Sequence, residues 1–297
     1  MASSSESESL PSQETTMIQI PSSVSQESES KSSRRECPIC YHVLPFDATE
    51  HIYHDCCGRL ICDGCVIGKQ RTQLKEPQPQ FKDLGKIIEG TTPEVEQFRL
   101  IKKHGNNIYV CPYCRAPLPK REEESLQRLY TRIEIHNDRD YTIAVNLLGM
   151  YFEKGQCGLP QNLKKAEELY KEACDLGEPD AAWNLVVLYR NHYSDQKKNA
   201  EIEYLQRGDM LGSVNCIQEL AYEARDSGNE EEFARLWLKS VRLGGDEVNL
   251  WWFYRRNLIS KDVIATTLRA NQAIKDEVKT KRRSFAQRYQ EYRKINA

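Results

Sequence analysis

Eight of the chain's eleven cysteines fall between positions 37 and 114. Six of the eight stand as Cys-x-x-Cys pairs: Cys37/Cys40, Cys62/Cys65 and Cys111/Cys114. The other two, Cys56 and Cys57, are adjacent within "HDCCGRLICDGC" (54–65). One Cys-x-x-Cys turn presents two thiolates to a tetrahedral ion at about 2.3 Å each, so two turns close a structural site. Eight such ligands make two sites. Spacing alone leaves open which pairs share an ion. The start "MASSSESESLPSQETT" lacks the basic-then-apolar layout of a signal peptide, which reads as an intracellular, cytoplasmic or nuclear chain. In that setting clustered cysteines are metal ligands rather than disulfide partners. There is no Gly-rich phosphate loop, no metalloprotease His pair and no nucleophile–base set.

Charge lends no support to other classes. With 42 basic and 44 acidic residues the net charge is −2, so nothing global favours nucleic acid or a membrane surface. No apolar run approaches the roughly 20 residues of a membrane span. A basic cluster, "KTKRR" (279–283), is the weak signature of a nuclear signal.

In order, "CPIC", "CCGRLICDGC" and "CPYCRAPLP" resemble a RING finger over Cys37–Pro119. The resemblance implies two zinc ions in a cross-brace, with Cys37, Cys40, Cys62 and Cys65 on the first. The second then takes Cys111, Cys114 and Cys57. Its fourth ligand is the open question. Histidine-bearing members would place a ligand at Arg59, but a guanidinium stays protonated and does not ligate cations. All-cysteine members take the ligand just upstream, which points to Cys56. Neighbouring cysteines chelate with strain, so His54 is the alternative; His42 and His51 read as ordinary loop histidines. The family donates no nucleophile. It grips a ubiquitin-conjugating enzyme charged with ubiquitin and restricts the pair to a reactive arrangement. Ile39 and Pro117 match its apolar contacts, and Arg115 matches the arginine bridging ubiquitin and its carrier, a task suited to a planar guanidinium.

The elements that must carry this chemistry change character along the chain. Residues 1–35 hold 13 serines and almost no aromatics, the composition of a disordered tail. The finger, 36–120, contains an insert at 66–110 that reads as a surface excursion with a short helix around "EVEQFRLIKK". A helical linker (121–139) follows, then helix after helix. "NLLGMY" (146–151) recurs as "NLVVLY" (184–189), and "YKEACDLG" (170–177) recurs as "LQRGDMLG" (205–212) and "WLKSVRLG" (237–244). Each "LG" places glycine where a helix should stop, and Gly149, matched by Ala221, would let paired helices approach closely. A period near 34 with two helices per unit marks an α-solenoid. Cys157, Cys174 and Cys216 read as small core hydrophobes.

The stretch "LLGMYFEKGQCGLPQNLKKAEELYKEACDLG" (147–177) resembles a Sel-one-like repeat, a relative of the tetratricopeptide repeat. The likeness fades in the next two units, and a degenerate fourth runs from Asp246 to about Glu277. It implies a protein-binding face. Val278, Phe285, Tyr289 and Tyr292 share a helical face that would cap the end of the repeats. The expected fold class is therefore multidomain: a small zinc-stabilised, RING-like cross-brace domain, an all-α solenoid at 140–277 and a basic C-terminal helix or tail at 278–297. The expected function is a RING-type ubiquitin ligase whose repeats recruit a protein substrate. The rivals are a non-catalytic zinc-containing adaptor and, with less support, a nucleic-acid-binding zinc protein.

Overall fold

The computed structural model describes residues 35–44, 51–73, 110–135, 140–193, 198–278 and 281–295. The Ser-rich segment 1–34 and positions 74–109, with the short helix expected there, lie outside the described residues. So do 279 and 280 of the basic cluster.

Two strands pair as an antiparallel hairpin, β1 (His51–His54) with β2 (Arg59–Cys62), in the register His51↔Cys62 to His54↔Arg59. Sequence reading missed this hairpin, whose strands are only four residues each. Its turn is "DCCG", closed by Gly58 N–H on His54 O at 2.8 Å, with Gly58 at φ 65°. Glycine carries that left-handed conformation at no steric cost. Helix α1 (Asp63–Gln73) follows β2 at once, so the insert begins as helix rather than as a loop.

Ten further helices lie among the described residues. They are α2 (Glu122–Ile135), α3 (Tyr141–Lys154), α4 (Leu163–Asp175), α5 (Pro179–His192), α6 (Lys198–Leu211), α7 (Val214–Asp226), α8 (Glu230–Arg242), α9 (Leu250–Arg255), α10 (Lys261–Val278) and α11 (Lys281–Ile295). From α2 to α8 each helix packs on the next, and α3 touches α5 as α5 touches α7. This is a helical-repeat-like arrangement.

Local chemistry sets the ends. Asn162 caps α4 by accepting Lys165 N–H at 3.0 Å, and Asn229 caps α8 by accepting Glu232 N–H at 3.1 Å. Past α4, α6 and α8 the "LG" glycines Gly177, Gly212 and Gly244 sit at φ 90°, 80° and 100°. The repeated segments also touch each other: Asn184 Nδ2 donates to its counterpart Asn146 Oδ1 at 2.9 Å.

Close approach has its small residues. A Cβ on Gly149 would lie 2.7 Å from the ring of Tyr170. At Gly208 it would lie 2.3 Å from Cys216 Sγ. Gly208 was not singled out in the sequence, although it aligns with the small, buried Ala173 and Ser240 in the three "LG" segments. Cys157, Cys174 and Cys216 are buried, and burial pushes the last two up to about 11.

The end of the chain departs from expectation. Helix α11 does not simply cap the last repeat: it lies along α1, beside the cysteines. Of the four residues expected on one apolar face, Val278 ends α10 and the other three lie on α11; Tyr289 is buried, and the side chains of Val278, Phe285 and Tyr292 lie outside the described residues. Nor is α2 a bare linker. It buries Leu129 against the first helices of the repeats and turns polar residues toward the hairpin.

Candidate metal centre

The first and last cysteine pairs sit on turns of the same construction. Cys37 N–H bonds His42 O at 3.0 Å and Tyr41 N–H bonds Cys37 O at 2.9 Å. Likewise Cys111 N–H bonds Ala116 O at 2.8 Å and Arg115 N–H bonds Cys111 O at 3.0 Å. Single bridges close both, Glu36 to Val43 and Val110 to Pro117. After the second cysteine each chain turns back through a left-handed residue, Tyr41 at φ 57° and Arg115 at φ 61°. A non-glycine residue held there costs on the order of 1–3 kcal/mol.

These turns converge with the hairpin into two groups of four. Cys37, Cys40, Cys62 and Cys65 form the first; Cys56, Cys57, Cys111 and Cys114 form the second. The sulfurs of each group lie within 4.8 Å of one another, and each group could hold a metal ion. The pairing is interleaved along the chain. All of these cysteines are free. Four sulfurs bound tetrahedrally at about 2.3 Å stand about 3.8 Å apart. Cys40 and Cys62 are separated by 3.8 Å, Cys57 and Cys111 by 3.9 Å, and Cys56 and Cys114 by 3.4 Å. The thiols therefore fit an ion of zinc's size. Adjacent Cys56 and Cys57 serve one group because both ride on the hairpin turn.

The remaining predicted site residues fall as follows. His54 lies outside the four but is buried beside Cys111, whose thiolate it favours. Arg59 pairs across the hairpin with His54 as a strand residue. His51 is on β1 rather than in a loop, and His42 Nδ1 bonds Cys40 O at 2.7 Å. Ile39 is half-buried against the cysteine core, whereas Arg115 and Pro117 are exposed on the last turn.

The electrostatics ask for a cation. In the first group, hydrogen bonds from Cys62 and Cys65 drive Cys37 far down, and the same sharing pushes Cys65 up. Cys62 is pushed up to about 11, chiefly by Cys37, while Arg283 pulls it the other way. In the second group Cys56 and Cys57 hold Cys111 down; Cys56 rises, and Cys57 goes up to about 12, mainly through Cys111. Within each group the thiols crowd and share hydrogen bonds at close range. A divalent ion relieves that crowding.

Several supporting residues carried no signal in the sequence. Helix α2 braces the second group: Arg128 donates to Pro117 O at 2.7 Å, Arg132 donates to Asp55 O at 3.2 Å and to Cys56 O, and Ser125 Oγ bonds buried Asp55 at 2.5 Å. Arg35 ties the first turn to the helices through Glu178 at 2.8 Å and Thr142 at 3.0 Å. Buried Asp140 accepts Leu60 N–H at 3.2 Å. No protein-family model matches the chain, and no curated protein matches it either. No described helix is long and apolar enough to cross a membrane.

Proposed function

We propose that this chain is a zinc-binding RING-type ubiquitin ligase whose helical repeats form a solenoid that recruits a protein substrate. The observation that carries the reading is the interleaving of two four-cysteine groups through two like-built turns. Zinc supplies structure only, by closing the turns; all four ligands of each group are cysteines, which leaves no open position for metal-centred catalysis. The chemistry left to the chain is positional. Arg115, exposed and fixed by its backbone bond to Cys111, offers a guanidinium fork to ubiquitin and its carrier, with Ile39 and Pro117 as the apolar contacts of the conjugating enzyme. The repeats bind the substrate beside that site.

The test is discharge of ubiquitin from a panel of charged conjugating enzymes. Arg115→Ala should slow discharge on the order of 10–100-fold with both ions retained, because the side chain lies outside the thiol groups. Ile39→Ala should weaken binding of the conjugating enzyme. If the wild-type chain accelerates discharge from none of them, the adaptor reading replaces this one. That reading draws on one specific observation: Ile39 packs partly into the cysteine core, which leaves less of it for a partner.

A further inference from the structure

The last helix reaches back to the first turn. Along α11, Arg283, Ala286, Tyr289 and Gln290 fall on one face at helical spacing. The first three are buried, and Gln290 Nε2 donates to Asp63 Oδ2 at 3.2 Å, beside Cys62. Arg283 is 4% exposed. Its Nη1 donates to Val43 O at 2.5 Å, and its Nη2 reaches His42 O at 3.3 Å and Cys40 Sγ at 3.8 Å. His42 O is also the acceptor for Cys37 N–H, so the guanidinium grips the bond that shapes the turn.

Charge and symmetry both give this contact a purpose. Four thiolates around a divalent ion leave a net charge of −2, and a cation against one of those sulfurs offsets it where water cannot. Moreover, Val43 and Pro117 are equivalent positions on the two like-built turns. Each carbonyl is taken by an arginine from a helix, Arg283 for the first and Arg128 for the second. Two distant helices thus do the same thing to the same atom.

We propose that Arg283 is a positioning residue of the first cysteine site, and that metal binding there and docking of α11 on α1 form a single coupled equilibrium. By linkage, the helix tightens the site as much as the ion tightens the helix. The coupling joins residues 240 positions apart. It concerns the metal site alone and stands apart from ubiquitin transfer.

The experiment uses the full-length chain loaded with zinc, challenged with increasing chelator and followed by native mass spectrometry. Alkylation mapping identifies the vacated group. In Arg283→Met the first group should lose its ion at roughly tenfold lower chelator, the scale on which groups behind metal ligands act. The second group should release as in wild type. Arg283→Lys, which keeps the charge but not the fork, should recover only part of the difference. Hydrogen exchange adds the reciprocal readout: α11 amides should be slow with both ions bound and speed up when the first group empties.

Unchanged release in Arg283→Met overturns the proposal, as does α11 exchange indifferent to the first ion. Should the Arg283 variants lose both ions together with their helical signal, Gln290→Ala decides. It removes an anchor of α11 that is not bonded to a sulfur, and an unshifted first-ion release there overturns the coupling. A wild-type chain holding fewer than two ions would sink the metal reading with it.

Discussion

In the first cysteine group three of four thiols are buried, whereas in the second only Cys111 is and Cys114 is exposed. Yet both groups use one copy of the same turn. What differs is the second pair of ligands and what lies outside. The first group draws its second pair from β2 and the start of α1, which α11 covers. The second draws it from a hairpin turn that α2 braces through the carbonyls of Asp55 and Cys56 and through the Asp55 carboxylate. The ligand set fixes that an ion can bind; the surroundings decide how readily it leaves.

The largest effect that tests this contrast is metal removal. Structural zinc contributes roughly 10–16 kcal/mol of apparent binding free energy at neutral pH, which in such sites is folding free energy. Excess chelator should therefore unfold the cysteine region while most of the helical circular dichroism survives. The ions should leave in order, the second group first. Pulsed alkylation then labels Cys56, Cys57 and Cys114 before Cys37, Cys62 and Cys65. Simultaneous labelling would erase the distinction between the groups.

Next in size is the loss of one ligand. Cys56→Ser should release the second ion and leave the first, because Cys56 completes that group. His54→Ala should keep both, since the imidazole supports Cys111 from outside the four. Ion counts by native mass spectrometry check both variants. The reverse pattern would transfer the site to His54 and leave Cys56 a spare thiol.

How much of this was legible follows from how local each signal is. Thiolate chemistry concentrates in cysteine type and spacing, so seven of the eight members of the two groups were readable in advance, and Cys56 as one of two candidates. The rival claims of Cys56 and His54 were not resolvable, because the hairpin that carries "DCCG" is too short for its strands to show a period. Helix ends were legible at Gly177, Gly212 and Gly244, where a left-handed backbone selects the residue. Arg283, Arg128 and Arg132 were not. An arginine that grips a distant carbonyl looks, in sequence, like one facing water, and "KTKRR" read as a basic cluster even though Arg283 is buried. The contacts between the cysteine region and the helices were hidden for the same reason. Tyr53 and Ile143 pack across the boundary, as Arg35 and Asp140 bond across it, and none of these contacts has a local pattern.

The smallest effect concerns the arginine that mirrors Arg283. Arg128 takes Pro117 O much as Arg283 takes Val43 O, but it is less enclosed, and its other partners are Glu124 and Asp55 rather than a thiol. Its side chain is 24% exposed, so water and salt screen whatever charge it lends the second group. Arg132 and Ser125 would still hold Asp55 and Cys56 in its absence. Arg128→Met should thus move release of the second ion by only about two- to threefold, on the scale of one modest hydrogen bond of roughly 0.5 kcal/mol. The first ion should stay where it was. The same chelator titration measures it, and raising the salt concentration should shrink the difference further. A shift as large as that expected for Arg283→Met would show that holding the turn's carbonyl is what matters and that contact with sulfur adds nothing.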